Sequence, residues 1–151
     1  MEIPPAERFP QEKDSVFAIN GIRFKISSYF WQDFMPMVPP GGPPFYLNFK
    51  IEIQNLTGKP IRSFSAFVTT LYYVDTQKLF HSFRLIPAAN TQPEETILPQ
   101  EKKTLIYTND RKEVFSPHIE KGTKLYARIM VMWDGKKRLL TSPPVSVVYT
   151  Y

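Results

Sequence analysis

Through residues 45–54 apolar and polar side chains alternate without a break, Phe45, Leu47, Phe49, Ile51 and Ile53 against Tyr46, Asn48, Lys50, Glu52 and Gln54. Period 2 predicts a strand with one buried face and one wet face. Residues 61–74 are also strand-like but apolar on both sides, with Phe64, Ala66, Val68, Tyr72 and Val74 expected on one face and Phe67, Leu71 and Tyr73 on the other. Upstream, a short strand over residues 16–19 meets Asn20-Gly21, the dipeptide a type I′ turn prefers. Ile22, Phe24, Ile26 and Phe30 then read as an inner face, alternating at first with Arg23, Lys25 and Ser27. Near the end, Leu125, Ala127, Ile129, Val131 and Trp133 alternate with Tyr126, Arg128 and two methionines. The turn is Asp134-Gly135, residues 136–140 return, and Ser142-Pro143-Pro144 breaks the return before Val145, Val147 and Tyr149 resume in phase.

With further strands over residues 78–86 and 102–109, the pattern gives about eight short strands and no helix. Strands this short and this frequent predict a two-sheet, immunoglobulin-like (Greek-key) β-sandwich rather than a parallel sheet. The connections 86–101 and 110–123 suit crossings between the sheets. Residues 1–13, with Pro4, Pro5 and Pro10 among charges, read as a flexible lead-in, and 14–151 as a single domain.

The strand ending in Asn55-Leu56-Thr57-Gly58-Lys59-Pro60-Ile61, the strand ending in Tyr73-Val74-Asp75, Leu98-Pro99 and the late Val131-Met132-Trp133-Asp134-Gly135-Lys136 hairpin together resemble immunoglobulin-like accessory modules of bacterial cell-envelope proteins. The resemblance spans roughly residues 15–150. It implies a non-catalytic adhesion, assembly or spacer role in an exported or envelope-associated protein, a fold-level expectation rather than one read from a site.

Composition narrows the chemistry. Fifteen prolines and six glycines argue against long helices. The absence of cysteine removes thiol nucleophiles, thiolate metal sites and disulfides together. No apolar run approaches the length of a membrane helix. Residues 1–14 lack the apolar core of a signal peptide, so the expectation is either a cytoplasmic protein or a mature segment whose leader lies outside this chain. The first 75 residues are charge-balanced, and the whole excess of +5 falls in the rest.

No catalytic constellation emerges. His81 lies in a strand and His118 in a loop, each without a metal-ligating partner at chelating spacing, so both read as structural. Glu94-Glu95 reads as a solvent-facing pair. Met35, Met37, Met130 and Met132 offer soft-metal ligands in principle but read as gap fillers. No cofactor and no metal is expected, and the chain reads as no enzyme. Asn55-Leu56-Thr57 fits a glycosylation sequon but also plain turn chemistry.

The segment 31–44 stands apart, being apolar and stiffened by five prolines. It reads either as a cap on an open end of the core or as a preformed docking edge for a protein partner, through Trp31, Phe34, Met35, Met37 and Val38. The alternative is a carbohydrate-binding sandwich in which Tyr29 and Trp31 stack on sugar rings. Arg23, Lys25, Tyr29 and Trp31 share one strand phase, which also raises nucleic acid, ranked below both. Exposed edge strands offer a homodimer as a further option.

Overall fold

The computed structural model describes residues 16–34 and 38–151; the expected lead-in over 1–13 lies outside them. Among the described residues there are eleven strands and no helix. They are β1 (Val16–Ile19), β2 (Ile22–Asp33), β3 (Phe45–Asn55), β4 (Ile61–Tyr73), β5 (Leu79–Ala88), β6 (Glu95–Ile97), β7 (Lys102–Asn109), β8 (Lys124–Trp133), β9 (Lys136–Thr141), β10 (Val145–Ser146) and β11 (Val148–Thr150).

One hydrogen-bonded path runs β1-β2-β3-β7-β5-β4-β8-β10, with β11 on β2, β6 on β4 and β9 on β8. Every pairing is antiparallel except that of β11 with β2. The path curls into a half-barrel and does not divide into two separate sheets. The reason lies in β5. Its first part pairs with β4, from Leu79 to Arg84, and its second part pairs with β7, from Leu85 to Ala88. A strand that changes partner midway makes a corner. The chain end makes a second crossing: β9 and β10 lie on β8, and β11 lies on β2.

The period-2 reading of β3 holds at every position. Phe45, Leu47, Phe49, Ile51 and Ile53 are all at most 1% exposed. The inner face of β2 is Ile22, Phe24, Ile26 and Phe30, as its alternation predicts, and all four are buried. Across the core Phe24 meets Phe64 at 6.4 Å and Trp133 at 5.6 Å, while Phe45 stacks on Phe83 at 5.6 Å. Each such ring contributes about 2–3 kcal/mol by leaving water.

Both predicted hairpin turns form. Asn20 and Gly21 have φ of 50° and 81°, Asp134 and Gly135 of 51° and 75°. Two consecutive positive φ values are what a type I′ turn requires. Gly21 is also hemmed in, since a Cβ there would stand 3.0 Å from Thr57 Cγ2.

β4 departs from its expected faces. Ala66 pairs with Val131 and Val68 with Met130, leaving Phe67 as one extra residue. That bulge turns the rest of the strand over. Thr69 and Leu71 are fully buried, and Val68, expected inside, is 39% exposed. A second bulge leaves Phe80 unpaired in β5, between Leu79 and His81. Residues 86–101, expected as a loop, contain the end of β5 and all of β6. Within them Glu95, expected at the surface, is 7% exposed and pairs with Lys103 at 3.3 Å.

Candidate binding face

The outer face of β2-β3-β7 carries the side chains that β2 and β3 turn away from the core. Strand register sets their neighbours: Trp31 lies opposite Tyr46, Tyr29 opposite Asn48, Ser27 opposite Lys50, Lys25 opposite Glu52 and Arg23 opposite Gln54. Asn48, Lys50, Glu52 and Gln54 in turn face Thr108, Ile106, Thr104 and Lys102.

At one end of this face lies a row of rings. Tyr29 and Trp31, two residues apart on one strand face, stack with centroids 4.9 Å apart and planes 22° from parallel. Trp31 meets Tyr46 across the strand pair at 5.5 Å. Arg111 lies over the row, its Cζ 4.1 Å from the Tyr46 centroid and 5.7 Å from that of Trp31. A turn positions this guanidinium. Asp110 N donates to Arg84 O, Lys112 N to Asp110 Oδ1 and Glu113 N to Asp110 O. Tyr29 is 44% exposed and Trp31 half-buried. Beside Tyr29, Asn48 Oδ1 is enclosed and has no hydrogen-bond partner among the described residues.

At the other end, Val16, Arg23, Lys25, Glu52, Gln54 and Lys102 line a cleft of about 210 Å³. Lys102 Nζ sits 2.6 Å from Glu52 Oε1. That hydrogen bond, helped by the charges of Lys102, Lys25 and Lys50, lowers the pKa of the Glu52 carboxyl against the opposing effect of burial. Among the described residues no carboxylate lies within ion-pair distance of Arg23 or Lys25.

Of the docking residues expected from the sequence, Trp31 and Phe34 have different neighbours. Trp31 belongs to the ring row. Phe34 turns instead to the chain end, 4.8 Å from Tyr149 and 5.6 Å from Tyr151, and its N–H donates to Thr150 O. The Tyr149 hydroxyl donates to Ile119 O. Val38 is 46% exposed. Met35 and Met37 lie outside the described residues. The base of the segment is pinned: buried Gln32 donates through Nε2 to Pro43 O and Pro117 O, and Ser116 Oγ donates to Gly42 O. At the adjoining end of the core Phe115, from the connection 110–123, packs on Phe45, Phe80 and Phe83.

His81 stacks flat on Phe115 at 3.8 Å and 8°, and burial lowers its pKa against the opposing pull of Glu113. His118 is exposed on its loop. Met130 and Met132 lie half-buried on β8 opposite Val68 and Ser65. No group of three or more metal-ligating His, Cys, Asp or Glu side chains occurs among the described residues. The Asn55 sequon is turn chemistry: Nδ2, the atom a glycan would take, donates to Lys59 O and Ile97 O.

Two partners in the ring row were hidden from sequence reading. Tyr46 counts there only as the wet side of a strand, and Arg111 lies in a connection with no periodic signal. The spacing of Tyr29 and Trp31 was the one readable sign.

No family model matches the chain, and no curated protein sequence matches it. Among solved structures it is similar to Northeast Structural Genomics Consortium target SoR45, at 14% identity, 85% of this chain, 87% of that one and a TM-score of 0.47. It is also similar to the copper-bound PCuAC domain from PmoF2 (8% identity, 85% and 95% covered, TM-score 0.40) and the apo PCuAC domain from PmoF1 (12%, 85% and 96%, 0.41). Likenesses at this level identify neither a family nor a function.

Proposed function

We propose that this domain is a non-catalytic binding module, of an exported or envelope-associated bacterial protein, that holds a carbohydrate on the outer face of β2-β3-β7. One observation carries the reading. Tyr29, Trp31 and Tyr46 form a contiguous row, braced by Arg111, on a sheet face whose other apolar side chains are Ile106 and, at its edges, Val16 and Val148. The core does not need these rings, which lie on the side away from it. A ring face offers apolar contact to the C–H side of a pyranose, and Ser27, Asn48 and Lys50 beside it offer partners to the hydroxyls.

The test is a titration with a panel of neutral and acidic oligosaccharides. Trp133 is 3% exposed, so a saturable change in tryptophan emission reports Trp31. Tyr29→Ala is expected to weaken binding about tenfold with the melting temperature unchanged. Binding that survives both Tyr29→Ala and, read by calorimetry because that variant lacks the reporting ring, Trp31→Ala, or no saturable change with any sugar, overturns the reading.

A second reading, a protein partner docked through the proline-rich segment, is favoured by exposed Val38 and the stack of Phe34 on Tyr151. A partner captured by the intact protein and lost when residues 33–44 become a Gly-Ser linker, with folding unchanged, supports it. Equal capture refutes it.

A further inference from the structure

We propose that the cleft at the Arg23 end of the binding face is a subsite for an acidic group, so that the ligand is an oligosaccharide bearing carboxylates or sulfates. This rests on the carbohydrate reading and adds the ligand's charge to it. The cleft has a polar lining and three cations, Arg23, Lys25 and Lys102, against one carboxylate, Glu52. Lys102 is committed to Glu52 at 2.6 Å. Arg23 and Lys25 have no carboxylate within ion-pair distance among the described residues, and Lys25 acts on Glu52 only across the strand register, so the cations of β2 outweigh the carboxylate in the cleft. A volume of about 210 Å³ holds a single charged substituent with its water. That is below the range of whole-ligand pockets, so the rest of the ligand must lie elsewhere.

Strand geometry says where. Lys25 and Tyr29 share one face of β2 four residues apart, about 13 Å at the usual rise per residue. A chain of sugars can place an acid group on Arg23 and Lys25 while another ring lies on Tyr29. Between the two ends the register sets Ser27, Lys50 and Asn48, so hydroxyl and amide groups accompany a single exposed cation. A single-stranded nucleic acid carries a phosphate at every nucleotide and asks for cations all along its stacked bases. Here Arg23 and Lys25 lie together at the end away from the rings, Lys50 stands alone between the ends and Arg111 is engaged with the Tyr46 ring at 4.1 Å, a sparser charge than a phosphate at every nucleotide calls for, which favours sugar over nucleic acid.

The experiment is calorimetry on the whole chain with four probes: an oligogalacturonate hexamer, a heparin hexasaccharide, neutral cellohexaose and a twelve-residue oligothymidylate. At low salt one or both acidic sugars are expected to bind about tenfold tighter than the neutral one, a preference that fades as salt rises. The double variant Arg23→Gln/Lys25→Gln changes only exposed side chains. It is expected to bring acidic binding down to the neutral level and leave neutral binding unchanged. Preference for carboxylate or for sulfate identifies the acid group. Equal wild-type affinity for acidic and neutral sugars overturns the proposal, and so does a preference that survives the double variant. In either case neutral binding that still falls with Tyr29→Ala keeps the carbohydrate reading standing. Oligothymidylate bound tighter than every sugar, and lost in the double variant, assigns the cleft to a phosphate backbone and overturns it too.

Discussion

Replacing Asn55 with alanine is expected to lower the stability of the domain by about 3 kcal/mol. The side chain is fully enclosed, at 0% exposure, where β3 ends. Its Nδ2 donates to Lys59 O at 2.8 Å and Ile97 O at 3.0 Å, and its Oδ1 accepts from Thr57 N at 3.0 Å and Thr57 Oγ1 at 2.6 Å. Alanine removes all four bonds. The Thr57 and Lys59 groups lie in a surface turn and regain water, so each bond is worth only about 0.5 kcal/mol. Ile97 is 0% exposed, and weakening the satisfaction of its carbonyl costs about 1–2 kcal/mol more. Urea unfolding followed by tryptophan emission measures the loss. With a slope of about 2 kcal/mol per molar, the midpoint falls by about 1.5 M. Asn55→Asp keeps the acceptor, loses both donors and sets a carboxylate against two carbonyls, so it is expected to be at least as damaging at neutral pH. A midpoint shift below about 0.5 M for alanine would refute the claim that this amide ties β3 to β6.

Three further expectations follow from single positions. Gly21→Ala is expected to cost about 2 kcal/mol, from a left-handed φ and contact with Thr57 Cγ2, whereas Gly135→Ala, with no atom within 4 Å of its Cβ, costs about 1 kcal/mol; equal values in urea titrations would contradict the contact. Trp31→Ala is expected to lower stability by about 1 kcal/mol and Phe24→Ala by about 4 kcal/mol, because only the second opens a core cavity; equal losses would make Trp31 a core residue. Burial holds the folded pKa of His81 below its ordinary 6.5, so the unfolded chain binds the proton first as pH falls. Stability is therefore full above about pH 7 and declines from about pH 6.5 down towards the lowered folded pKa. His81→Phe removes that part of the decline, read as melting temperature against pH, and an unchanged slope would show that His81 does not carry it.

The sequence made some of this fold readable because period 2 is a local signal. The buried faces of β2, β3 and β8 and both Gly-containing turns needed no knowledge of their partners. β4 was misread because one residue, Phe67, adds a bulge, and a bulge leaves no mark in an apolar run. β6 is three residues long and pairs only through Ile61 and Phe64. The corner at β5 was hidden for a related reason: a change of partner within one strand alters no side-chain alternation. Of the candidate face, Tyr29 and Trp31 could be placed together from their spacing alone. Tyr46, Arg111 and the Lys102–Glu52 pair join them through the register of strands far apart in sequence, which no local pattern encodes.

The proposed binding surface is the outer face of β2-β3-β7. Amide chemical-shift mapping tests it most directly, on the ¹⁵N-labelled chain titrated with oligogalacturonate hexamer and with cellohexaose. The prediction is that the largest shifts fall at residues 23–31, 46–54, 102–108 and at Arg111, with residues 23–25 responding only to the acidic sugar. Shifts gathered instead around Phe34 and residues 149–151, or on β8 and β9, or no shifts with either sugar, would contradict it.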